Sequence, residues 1–344
     1  MSASVLVTGA TGFLGHTLCP YLVERGYSLR ALVRPSSTRD FLRSLGVELA
    51  WGDVRDPTAV HAAIQGCRAV VHAAGKFRFW GRREDFFAAN LEGTRNLLEA
   101  ARQAGVERFV HVSTIAVIGA PRSGTTIDEQ YPPTPRDDYQ RSKLEGERLA
   151  LHYHQEHGLP SLVLRPGAFY GPGGRYALNR LFFEDPLKGL PMQVYGGQHI
   201  TFPVYIRDVA QGVDLALRRG QPGEIYNVSG PSLSHRAIND IVDRLLGYRI
   251  QRLDAPAWGM LALAQIWTWL SRFTGQEPYY PINLAFYVFY DWQVSSEKAQ
   301  RELGFVPTPF EEGARATLDW YRELGVGPTH RLTRLVARMT RREL

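Results

Sequence analysis

The sequence predicts an α/β protein: a doubly wound parallel sheet with a smaller C-terminal α/β lobe laid over its edge. Three observations predict it. Short apolar runs alternate with longer stretches of helical period through the first two-thirds of the chain. Each run is nearly continuous in apolar character, the mark of a strand covered on both faces. A glycine-rich turn joins the first run directly to the first helical stretch, as where strands and helices alternate in one layered sheet.

The runs read as strands are residues 5–8, 29–33, 47–49, 69–72, 109–112 and 161–165. The clearest helical stretches between them are 14–25, 84–104 and 139–157. After about Pro172 the rhythm breaks. Short strands near 194–195, 204–206 and 225–228 mix with helices starting at Arg207 and Ser234, and aromatic residues are dense from Trp258 to Trp292. This divides the chain into a sheet-bearing domain over 1–172, a lobe over 173–329 with some segments returning to the main sheet, and a tail over 330–344.

At 344 residues, 44% hydrophobic and 22% charged, the chain has the balance of a soluble globular protein with a substantial core. The first apolar run begins by Val5, leaving no room for a signal peptide, so a cytoplasmic location is expected. Residues 258–270 are too few to span a bilayer and include Gln265 and Thr268, which predicts a core or substrate-covering helix. Cys19 and Cys67 are the only cysteines and read as buried free thiols. No Cys/His cluster has metal-ligand spacing, so no metal is expected. Of the net charge of +6, +4 lies in the last fifteen residues, where five Arg stand against Glu343. The rest of the chain lacks the Lys/Arg clusters that bind nucleic acid.

The turn is Thr8-Gly9-Ala10-Thr11-Gly12-Phe13-Leu14-Gly15. Its glycines let the backbone bend sharply and approach a pyrophosphate, while the helix opening at Phe13 and Leu14 offers N–H donors and a favourable dipole. The spacing is G-x-x-G-x-x-G, and its place in the first strand–turn–helix unit indicates a nucleotide cofactor. Nineteen residues after Gly15 stands Arg34, with no acid where a ribose diol would be gripped. A guanidinium there suits a 2′-phosphate, favouring NADP over NAD; a solvated surface arginine is the plainer reading. Asp53 and Val54, after the third strand, are placed to hold the adenine edge, although Asp53 also suits a helix cap because Pro57 follows closely.

Tyr139 and Lys143 lie four apart, on one face of a helix. An ammonium beside a phenol stabilises the phenolate, so that Tyr139 can exchange a proton with a carbonyl or alcohol oxygen while hydride moves at the adjacent carbon. By itself the spacing also fits a surface pair. Ser113-Thr114, ending the fifth strand, adds a hydroxyl to polarise the same oxygen.

Together with that turn, His72-Ala73-Ala74-Gly75, Asn90 to Thr94, Ser113-Thr114, Tyr139 to Lys143, Arg165 to Pro172, Val204 to Ala210 and Ser295 to Gly304 occur in the order and spacing of extended short-chain dehydrogenases. The chain resembles that family over roughly residues 4 to 325. The resemblance implies a Rossmann-like dinucleotide-binding domain, with Thr114, Tyr139 and Lys143 as the catalytic set. It implies that Ala73 and Ala74 pass under the cofactor, that Lys143 reaches its ribose, and that backbone near Pro166 meets the nicotinamide carboxamide. Asn90 and Ser113 take supporting roles.

The family includes nucleotide-sugar epimerases and dehydratases, which commonly carry Asn in R-P-x-N-x-Y-G-P and Arg shortly before V-Y-x-x-D. This chain has Ala168 and, near the second position, Thr201. Both phosphate contacts are lost. Lys76, Phe77 and Trp80 follow the fourth strand, and Tyr170, Phe202 and the aromatic stretch would form an opposite wall. Such a lining suits a steroid, flavonoid, terpenoid or acyl ketone, as in the 3β-hydroxysteroid dehydrogenase and dihydroflavonol reductase branches; the aromatics also serve as core for the small lobe. The expectation is an NAD(P)-dependent oxidoreductase of a lipophilic ketone or secondary alcohol. Its rivals are a nucleotide-sugar enzyme using NAD and a non-catalytic cofactor-binding subunit, the latter opposed by the intact Thr114, Tyr139 and Lys143. In the tail, Leu332, Leu335, Val336 and Met339 fall at helical spacing among arginines, a pattern for peripheral contact with an anionic membrane, a partner, or the protein's own body. Pairing of helices into a homodimer is expected by analogy.

Overall fold

Parallel strands must be joined by crossover connections, and the chain runs seven strands through one such sheet. The computed structural model describes residues 4–37, 39–189 and 192–326. Its main strands are β1 (Ser4–Thr8), β2 (Leu29–Val33), β3 (Glu48–Trp51), β4 (Cys67–His72), β5 (Arg108–Val112), β6 (Ser161–Pro166) and β7 (Ile225–Val228). They lie side by side in the order β7-β6-β5-β4-β1-β2-β3, all parallel. The order reverses between β1 and β4, where Val7 pairs with Val71 and Thr8 with His72. Ligands of open α/β sheets lie at such a switch point, beyond the strands' carboxyl ends.

Each face of the sheet has its own apolar layer. On one, Leu14, Leu18 and Leu22 of helix Phe13–Glu24 pack with Val209 and Val213 of helix Ile206–Arg219. On the other, Val60 and Ile64 of helix Pro57–Ile64, Leu97 and Leu98 of helix Gly93–Gln103, and Ala150 of helix Asp138–His157 cover the strands. Cys19 and Cys67 are buried and unpaired in these layers.

Three differences from the sequence reading have physical reasons. The stretch expected as one helix over 84–104 contains a π turn at Ala88–Glu92. There Asn90 donates to Ser142 and to the Lys76 carbonyl, and accepts from the Lys76 N–H, bracing the segment after β4 against helix Asp138–His157. Tyr170, expected in a substrate wall, is 1% exposed and packs with Phe183 and Phe310 inside the small lobe, its hydroxyl donating to the Phe310 carbonyl. Finally, helix Ala257–Thr274 is neither core nor simple cover, because one side faces inward and the other lies open. The tail over 330–344 falls outside the described residues. No described helix is long and apolar enough to cross a membrane.

Candidate active site

At the switch point the turn after β1 is built by two glycines that no other residue replaces. Gly9 has φ +75°, and a Cβ there would stand 2.8 Å from the backbone of Ala73 and Ala74. A Cβ on Gly15 would stand 2.2 Å from the Ala10 carbonyl oxygen, so Gly15 lets the helix press onto the turn without itself meeting the cleft. Gly12 caps helix Phe13–Glu24 with no side-chain hydrogen bond, which leaves first-turn N–H groups, including those of Phe13 and Leu14, without intrahelical acceptors. Gly9, Gly12, Phe13, Leu14 and Ala73 line a cleft of about 560 Å³.

Arg34 lines the same cleft, and among the described residues its guanidinium makes no hydrogen bond or ion pair. Asp53 is engaged elsewhere. Arg55 donates to it through its backbone N–H and its guanidinium, and this pair, with a smaller influence from Arg34, holds the Asp53 carboxyl below its usual range. The helix cap offered as the other reading of Asp53 falls to Asp56, which accepts from Thr58 and Ala59.

Thr114 lies two residues beyond β5, as the cap of a short 3-10 turn at Ile115–Ile118. Tyr139 and Lys143 come from the first turns of helix Asp138–His157, whose cap is Asp137 accepting from Gln140 at 2.8 Å. All three side chains border the cleft. The Lys143 ammonium is buried and donates to the Val112 carbonyl at 2.7 Å. Burial pushes its pKa down to about 8, against the opposing charge of Glu147. Burial raises the Tyr139 phenol, with Thr114 in hydrogen-bonding reach pulling the other way. For Tyr139 burial is the larger influence, while the Lys143 ammonium, also buried, lies on the same helix and borders the same cleft. Ser113 turns inward and donates to Glu147 at 2.8 Å, and Glu147 is paired with buried Arg165.

The wall facing Tyr139 is aromatic. The Phe77 ring lies 4.8 Å from that of Tyr139, Phe79 stacks on Tyr176 at 5.2 Å, and Phe79 meets Tyr287 at 4.9 Å. Phe202, backed by Trp292 at 4.5 Å, and Ala168 and Thr201 complete it. Lys76 and Trp80 are corrected. Lys76 is held by Asp85 at 2.7 Å and neither residue borders the cleft, since the segment after β4 turns Phe77 and Phe79 inward. Thr11, Gly15, Asp53, Val54, Ala74 and Pro166 also stand back from it. Val54 packs against Gly93, Ala74 donates its N–H to Thr8, and Pro166 pairs with Val228 in the sheet, leaving Gly167 at the opening. Sequence reasoning missed Tyr176 and His235. Phe79 lies in the segment after β4 and Tyr287 in the aromatic stretch expected as the opposite wall, whereas Tyr176 and His235 come from the distant lobe and carried no local signal.

These residues fit a nicotinamide dinucleotide. The Gly9 approach to Ala73, the uncapped helix start and the unpaired Arg34 offer a cradle for its phosphates, and Tyr139 and Lys143 lie at the far end. Bound there, the dinucleotide supplies the hydride donor or acceptor.

The chain is similar to sterol demethylase protein B of Methylococcus capsulatus, 31% identical over 94% of this chain and 99% of that protein. It is equally similar to a dTDP-glucose 4,6-dehydratase of Streptomyces antibioticus, 31% identical over 93% of this chain and 92% of that one. Among solved structures it superposes on the Thermus thermophilus UDP-glucose 4-epimerase in complex with NAD with a TM-score of 0.74, at 29% identity over 93% of this chain and 99% of that one. Residues 5–229 match the NAD dependent epimerase/dehydratase family, in its extended short-chain dehydrogenase form, and the chain belongs to it as an NAD(P)-dependent enzyme.

Proposed function

We propose that this enzyme interconverts a ketone and a secondary alcohol on a lipophilic substrate, preferring NADP. The observation that carries the substrate class is the wall of Phe77, Phe79, Tyr176 and Tyr287 beside Tyr139, with Ala168 and Thr201 lining the cleft in place of the Asn and Arg common in nucleotide-sugar enzymes. In this reading Thr114 and Tyr139 hold the substrate oxygen, Tyr139 moves its proton, and Lys143 supports the phenolate and a ribose hydroxyl. The exposed, unpaired Arg34 supports the cofactor preference, since it is free to meet a 2′-phosphate.

One observation favours a nucleotide-sugar substrate: Arg78 and Arg175 also line the cleft. Arg78 is already paired with Glu277, which leaves Arg175 as the available cation. The two readings separate in a turnover screen of steroid, terpenoid and acyl ketones with NADPH against UDP- and dTDP-sugars with NAD. Sugar turnover without net cofactor reduction defeats the ketone reading. In a fluorescence titration, NADPH should bind the wild type more tightly than NADH and lose about tenfold in Arg34→Ala, while tighter NADH binding defeats the cofactor assignment.

A further inference from the structure

Helix Ala257–Thr274 has two apolar sides. Met260 and Trp267 pack on the cluster of Phe79, Tyr280 and Leu284, and Met260, Leu261 and Ala264 roof an apolar pocket that shares Leu181, Phe182 and Leu284 with the cleft. The opposite side is open: Trp258 is 76% exposed, Phe273 73%, Ile266 and Trp269 55%, and Leu270 44%. At 3.6 residues per turn these five fall within an arc of about 120°. Scattered apolar side chains on a surface need no explanation, but a continuous stripe of two Trp, a Phe, an Ile and a Leu marks an interaction site. Arg272 is the helix's one formal charge, and no acid interrupts the stripe.

We propose that this face seats the enzyme on an anionic lipid bilayer, with the helix lying in the plane of the interface. Two observations favour a bilayer over a second copy of the chain. The last described residue, Val326, belongs to the apolar cluster of Leu245, Leu246 and Ile250, just before the helix begins, so the described chain ends on the lobe that carries the stripe and residues 327–344 follow from there in sequence. That segment carries five Arg against Glu343, a charge that complements anionic headgroups. A symmetric dimer through the stripe would bring two such cationic segments towards each other, which like-charge repulsion opposes. The helix is not apolar enough to cross a membrane, and Trp at the edge of an apolar face suits the headgroup boundary. The proposal stands independently of the substrate class.

The test is co-sedimentation of the full chain with vesicles of phosphatidylcholine alone and with phosphatidylglycerol added. The chain should partition onto the anionic vesicles with a blue shift of tryptophan emission. The double variant Trp269→Ser, Phe273→Ser should lose about tenfold or more in partitioning while its cofactor titration stays unchanged, because both side chains are exposed. Truncation after Gly327 should reduce the preference for the anionic vesicles. No binding by the full chain, or equal binding by the double variant, overturns the proposal. So does sedimentation velocity that finds a dimer converted to monomer by the double variant, which would assign the stripe to a second copy. No substrate enters the assay, so loss of vesicle binding leaves the ketone reading standing, and failed ketone turnover leaves the bilayer proposal standing.

Discussion

The Tyr287 hydroxyl donates to the Asp137 carboxylate at 3.1 Å, tying the distant wall of the cleft to the cap of the helix that carries Tyr139 and Lys143. Asp137 is almost fully buried, and burial pushes its carboxyl up to about 6. The substrate wall and the proposed acid–base helix thus share one titratable group.

Because its folded pKa is raised, Asp137 binds its proton more tightly in the folded than in the unfolded chain. Its contribution to stability is full below the ordinary carboxylate pKa of about 4 and is lost as pH rises through about 6, a difference of up to roughly 3 kcal/mol. Asp137→Asn keeps an oxygen for the Gln140 N–H and removes the titration. Urea midpoints of this variant should be flat relative to wild type's fall between pH 4 and 6. Parallel profiles would show that Asp137 is not the group responsible.

Lys143 titrates in the other direction. Its folded pKa is lowered to about 8 by burial, so between there and the unfolded value near 10.5 the folded state holds fewer protons and its stability rises with pH. Replacing it with Met removes a buried cation. Lys143→Met should be as stable as wild type or more so at pH 7, with the difference shrinking by pH 9.5, and it should lose most of its turnover. Denaturant midpoints at the two pH values check the first part, and a variant that is less stable at pH 7 contradicts it.

Tyr139→Phe should reduce kcat by between about a hundredfold and ten-thousandfold, the range of a lost general acid–base. Thr114→Ala should fall less steeply, since Tyr139 retains a path to the substrate oxygen. Both variants should bind the cofactor as the wild type does, by fluorescence quenching. Turnover that survives in Tyr139→Phe removes this residue from the chemistry.

Gly9→Ala should cost about 1–3 kcal/mol, because a side chain at φ +75° is strained and its Cβ would press on Ala73 and Ala74. The displaced backbone borders the cofactor cradle, so affinity for the dinucleotide should fall together with the melting temperature. An alanine variant that melts and binds like the wild type would contradict the close approach.

The sheet was legible because its signal is local. Residues 29–33 and 69–72 are apolar but for Arg30 and His72, and the strands form where those runs lie, with ends differing by a residue or two. The set Thr114, Tyr139 and Lys143 was legible because two members share a helix face and the third follows a strand at the sheet's carboxyl edge. The aromatic wall was only half legible. Phe77 and Phe202 reach the cleft, whereas Tyr170, equally aromatic, is covered by Phe183 and Phe310. Composition cannot separate these cases, because burial depends on which helix of the small lobe lands on which strand.

The sequence by itself determined the doubly wound sheet, the glycine turn and the spacing of the proposed acid–base residues, since each depends on contacts within one strand–helix unit. Only the tertiary structure decided that Lys143 donates to the Val112 carbonyl, that Asp56 and not Asp53 caps its helix, and that Tyr176 and His235 face the site. The reason is the same in each case. Hydrogen-bond choice and side-chain direction are settled by neighbours far away in the chain, as when Tyr287 reaches Asp137 to close the wall of the cleft.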